Sequence, residues 1–116
     1  MPHLTMDELE HWIEDFEVAT PPQPTSVWAV DASWDRTTID TALIYVHLDV
    51  TNTEGYLRRN IGGGAEWHVT LLPFERDIML SARQTQIFAD EVASISKLCS
   101  YLTDRTAQHL ARYRRR

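Results

Sequence analysis

The sequence predicts an α+β fold: an N-terminal helix, a three- to four-stranded antiparallel sheet, and a long C-terminal helix packed on one sheet face. Three observations predict it. Leu9, Trp12, Ile13 and Phe16 recur at helical spacing near the start. The middle of the chain is rich in β-branched and aromatic residues, broken by turn formers. From Ser81 onward the apolar positions step by four and three, which marks a helix stripe.

The elements follow in order. Thr5 with Glu8 matches a capping box, which satisfies free N–H groups at a helix start. The helix ends before Pro21, Pro22 and Pro24, because proline lacks the N–H and clashes with the preceding turn. Val27 to Ala32 reads as a short strand, and Ser33 to Thr38 as a polar connection. Thr41 to Thr51 is the best strand, and Asn52 to Gly55 supplies turn chemistry. Tyr56 to Ile61 reads as a further short strand or a loop, interrupted by Gly62, Gly63 and Gly64. Glu66 to Leu72 is another strand, stopped by Pro73. Ser81 and Gln84 match a second capping box, and Phe88, Val92, Ile95, Cys99 and Leu102 form one buried stripe.

Beyond Leu102 the stripe thins to Leu110 and Tyr113. A helix from Ser81 to Tyr113 spans on the order of 50 Å. A domain of this size has a radius of gyration of only about 13 Å. The final turns are therefore expected to overhang. The chain reads as one α+β domain over residues 1–104 and a basic helical extension or tail over 105–116. The element order is similar to that of double-stranded-RNA-binding domains, but the basic cluster those domains need at the start of the last helix is missing.

Charge is polarised. The first eighteen residues hold six acids and no Lys or Arg, and the last twelve hold five arginines and no acid. The net charge of −6 argues against a dedicated nucleic-acid binder, although the basic C-terminus leaves a local phosphate contact open. The single cysteine, Cys99, permits no internal disulfide and sits in the apolar stripe, as a buried structural thiol would. No basic-then-apolar leader and no long apolar run occur, so neither export nor a membrane span is implied. The expected location is the cytoplasm, or a phage particle.

Several residues bear chemistry. Strand alternation puts Tyr45, His47, Asp49 and Thr51 on one face, and Glu66, His68 and Thr70 on one face of the later strand. If these faces coincide, His47, Asp49, Glu66 and His68 meet, a set suited to a divalent metal or to acid/base work. The alternative is a solvated face with cross-strand polar pairs. No cofactor or metal is expected. Gly62, Gly63 and Gly64 after Arg58 and Arg59 would hold phosphate through backbone N–H groups, or form a plain hairpin loop. The segment His68-Val69-Thr70 resembles the His-x-Thr signature of the two-histidine (2H) phosphoesterases, and His3-Leu4-Thr5 is a second match. The resemblance implies that His68 and His3 act as acid and base on a phosphodiester.

The expected function is a non-catalytic protein–protein interaction or assembly protein, rather than an enzyme. A phage structural or accessory subunit and a small inhibitor or immunity protein are both roles of this kind. Its expected partner-binding residues are Trp34, an apolar anchor in a polar loop, and Leu110, Arg112, Tyr113, Arg114, Arg115 and Arg116 at the overhanging end. The partner is another protein or a second copy, with acidic first helix against arginine end. One alternative is nucleic-acid binding through the arginines. The other is a 2H-type hydrolase using His68 and Thr70, with His3 or His47.

Overall fold

The computed structural model describes residues 4–32, 40, 42–59 and 64–114, with residues 113 and 114 described by backbone alone. Helix α1 (Met6–Ala19) starts at Thr5, whose hydroxyl accepts the Glu8 N–H at 3.3 Å. Its buried side chains are Leu9, Trp12, Ile13 and Phe16, the stripe the spacing predicts. Thr20 closes it, donating both its N–H and its hydroxyl to the Phe16 carbonyl.

Four strands follow: β1 (Ser26–Asp31), β2 (Ala42–Leu48), β3 (Thr53–Arg59) and β4 (Trp67–Leu71). They form an antiparallel meander in chain order. Helix α2 (Ala82–Arg114) completes the fold. Both helices pack on one face of the sheet, α1 over β1 and β2, and α2 chiefly over β4. Ile44, Val46, Leu48, Leu57 and Trp67 point into this layer and meet Leu4, Trp12, Phe16, Ile95, Leu98 and Leu102. The opposite face carries the cross-strand row Trp28, Tyr45, Tyr56. Trp28 and Tyr45 stack with centroids 6.0 Å apart, and Arg58 lies 5.6 Å from the Tyr56 ring centre.

Two buried polar links fix these parts. Arg59 of β3 grips both carboxylate oxygens of Asp40, with Nε at 2.9 Å, and Asp40 also accepts the Leu4 N–H at 2.8 Å. Glu91 of α2 reaches the β2–β3 turn, accepting the N–H groups of Asp49 at 2.6 Å and Val50 at 3.3 Å.

The second link explains a difference from expectation. The turn occupies residues 49–52, three residues earlier than the turn chemistry of Asn52 to Gly55 suggests. Glu91 draws the Asp49 and Val50 amides out of the ladder, and Asn52 takes the left-handed φ of 49°. Gly55 then falls inside β3. A Cβ there would lie 2.8 Å from the Thr70 carbonyl oxygen, so this glycine serves strand approach rather than the turn.

The projecting end of α2 also differs. Residues 81–87 are all exposed, whereas buried positions run from Glu91 to Thr106. Three polar anchors hold the later half. The Trp67 indole N–H donates to Thr106 Oγ1 at 2.8 Å, the Trp67 N–H donates to Thr103 Oγ1 at 3.2 Å, and Arg105 pairs with Asp15. The N-terminal turns therefore project, and Arg105 and Thr106 belong to the packed half.

Candidate interaction surface

The histidine candidates lie far apart. His47 stands opposite Glu54 and 3.4 Å from Asp49, and His68 stands opposite Arg58. The register separates the two histidines by two strands and four residues along the strand. At roughly 4.8 Å per strand and 3.4 Å per residue, that is about 17 Å. Among the described residues no group of three or more His, Cys, Asp or Glu is placed to hold a metal ion. Thr70 pairs with Tyr56 on the same face as His68. Leu4 is buried on the helix side of the sheet and Thr5 caps α1, whereas His68 and Thr70 lie on the opposite face. His3 itself lies outside the described residues.

The arginine beside the glycine run is turned inward. Arg59 is 2% exposed, is held by Asp40, and donates to the Gly64 carbonyl at 3.2 Å. Its charge is committed to the fold. Gly62 and Gly63 lie outside the described residues, as do Trp34, Arg115 and Arg116, and the side chains of Tyr113 and Arg114. Leu110 is half-buried and Arg112 exposed on the last described turn of α2.

Part of the charge polarity is resolved within the chain. Arg105 Nη2 lies 3.3 Å from Asp15 Oδ2, and the guanidinium sits over the Trp12 and Tyr101 rings at 5.4 and 5.8 Å. His109 Nε2 is 3.7 Å from Glu8 Oε2 and its ring meets Trp12 edge-on. The acidic helix and the basic end thus pack side by side. Tyr101, in this cluster, has its phenol pushed up by burial, with Arg105 opposing and Asp15 adding to the shift.

Cys99 is a structural thiol. Its Sγ donates to the Trp67 carbonyl at 3.3 Å, and burial, aided by the Glu66 carboxylate, pushes its pKa up. A thiol held neutral is a poor nucleophile.

The feature that periodicity did not reveal is apolar. Of ten large hydrophobic side chains exposed among the described residues, eight fall between Val69 and Val92. Met79 is 94% exposed, Leu71 53% and Phe74 50%. No protein-family model matches the chain, and neither a curated protein nor a solved structure matches it.

The diagonal course of α2 creates the exposure. Glu91 sits at the β2–β3 turn, while Cys99 to Thr106 sit over Trp67 at the opposite end of β4. The Leu71 end of β4 is left uncovered. From there residues 72–80 run to the projecting turns of α2, and Leu72, Phe74 and Ile78 line a groove of about 560 Å³ against Thr53 and Glu54. A sequence signal exists in hindsight: Leu72, Phe74, Ile78, Met79 and Leu80 are many apolar residues for a connector.

Proposed function

We propose that this chain is a non-catalytic protein-interaction module, which joins an assembly through the end where β4, the 72–80 connector and the projecting turns of α2 meet. The observation that carries the reading is the concentration of exposed Leu71, Leu72, Phe74, Ile78 and Met79 at that one end. Scattered exposed hydrophobics are ordinary, whereas a gathered group marks an interaction surface. Fully covering one Phe- or Met-sized side chain contributes roughly 1.5–3 kcal/mol. A few such residues therefore suffice to hold a partner. A phage structural or accessory subunit, or a small inhibitor or immunity protein, is the biological form we assign to such a module.

The dispersed histidines and the inward-turned Arg59 support a non-catalytic role. Arg105 is held by Asp15 within the chain, so its charge is engaged in the fold.

Site-specific photo-cross-linking in cells tests the reading. A photo-reactive residue at position 79 is expected to give a discrete protein adduct, and one at position 10, on the exposed side of α1, is not. Equal yields at the two positions, or none at position 79, would overturn it.

A further inference from the structure

The outer edge of β4 is open over two residues. Leu72 donates its N–H to the Glu54 carbonyl at 3.1 Å, which sets the alternation of the β3–β4 ladder. With Tyr56 opposite Thr70 and Arg58 opposite His68, these pairs exchange the ladder bonds. Trp67, Val69 and Leu71 consequently turn their N–H and C=O groups outward. At Trp67, α2 engages both: the N–H donates to Thr103 and the carbonyl accepts from Cys99. At Val69 and Leu71 no described residue does so. Their side chains lie on the helix-bearing face, exposed where α2 has crossed away. Sheets ordinarily guard such an edge with charge, proline or a covering element, and here two apolar residues stand instead.

We propose that β4 pairs antiparallel with β4 of a second copy, about a two-fold axis beside Thr70. In this register Val69 of each copy stands opposite Leu71 of the other, and each such pair exchanges two backbone hydrogen bonds. All four outward groups of Val69 and Leu71 are satisfied on both copies. The exposed Val69 and Leu71 side chains cover their counterparts, and two four-stranded sheets become one of eight strands.

Charge favours this edge over the other. The chain carries a net charge of −6, and its acids concentrate on α1, over β1 and β2. Pairing through β1 would bring two acidic helices together. Pairing through β4 keeps them at the outer edges, and residues 67–72 contain no acid. This inference rests on the proposed interaction surface and names a second copy as its occupant.

Light scattering coupled to size-exclusion chromatography of the full chain, at tens of micromolar, tests it. The expected mass is twice the 13.4 kDa of the chain. Leu71→Lys places an ammonium group on each side of the seam, and Val69→Pro removes an outward N–H that β3 does not use. Both variants are expected to elute at the single-chain mass. Leu71→Lys, at an exposed position, keeps the melting temperature of the parent monomer. In the parent, the Val69 and Leu71 amides are expected to exchange with solvent at least tenfold more slowly in the concentrated sample than on dilution. A parent protein of single-chain mass, or a dimer that both variants leave intact, overturns β4 pairing. If the parent is monomeric while position 79 still cross-links to a discrete protein, β4 pairing fails and the interaction surface stands. A monomer with no adduct at position 79 removes both.

Discussion

The Glu91 carboxylate accepts the Asp49 backbone N–H at 2.6 Å, joining α2 to the end of β2 across 42 residues of sequence. Glu91 is 1% exposed, and its own carbonyl accepts the Thr25 hydroxyl at 3.1 Å. One residue thus ties α2 to the start of β1 and to the β2–β3 turn. It also sets where α2 begins to project.

Replacing Glu91 with Ala leaves the half-buried backbone amides of Asp49 and Val50 without their acceptor. Hydrogen bonds to a charged group contribute about 1.5–3 kcal/mol each. Glu91→Ala is expected to destabilise by roughly 2–4 kcal/mol, with Glu91→Gln losing less. Urea denaturation measures this. A loss below about 1 kcal/mol for the alanine variant would show that the turn forms without Glu91.

The Asp40–Arg59 pair is buried on both sides. Arg59→Met removes the guanidinium that balances the buried Asp40 carboxylate, at a cost of roughly 3–5 kcal/mol. Changing Asp40→Asn in the same chain removes that charge, so the double variant is expected to be more stable than Arg59→Met alone. A double-mutant cycle in denaturant checks the sign, and strict additivity would contradict the coupling.

Gly55 has no room for a methyl group. A Cβ there meets the Thr70 carbonyl oxygen at 2.8 Å and the Leu71 side chain at 3.0 Å. Gly55→Ala is expected to push β4 away from β3 and to cost about 1–3 kcal/mol. Thermal unfolding reads the effect, and an unchanged or raised melting temperature would contradict the close approach.

Cys99 is expected to react slowly with iodoacetamide in the folded chain and at an ordinary thiol rate in denaturant. Burial raises its pKa above the ordinary 9.0, so the folded thiol stays protonated where an unfolded one begins to ionise. The unfolded chain therefore loses the proton first. The stability linked to this thiol is full below pH 9.0 and falls as pH rises above it. Equal alkylation rates in the two states would contradict its burial against Trp67.

Much of the fold was readable from local signals. Thr5 with Glu8 and Ser81 with Gln84 mark both helix starts; the second box forms in full, and at the first the Thr5 hydroxyl accepts the Glu8 N–H. The apolar stripe of α1 is buried where its spacing placed it. The turn was displaced because its deciding partner, Glu91, lies far away in sequence, and no local propensity encodes that bond. The projecting end of α2 was hidden for a related reason. Thr103, Thr106 and Arg105 read as polar surface, yet they hold the helix to Trp67 and α1. The acids and arginines were plain in the sequence, but only the packing of α1 beside α2 shows that some of them pair internally. The apolar surface escaped periodicity because residues 72–80 form neither helix nor strand.

The proposed interaction surface predicts that the end bearing Met79 is covered by protein in the cell. Peroxide oxidation of Met79 tests it directly, with half-buried Met6 as an internal reference. The isolated, dilute chain is expected to oxidise at Met79 rapidly, and the chain in its native assembly at least tenfold more slowly relative to Met6. Equal relative rates in the two settings would contradict the account.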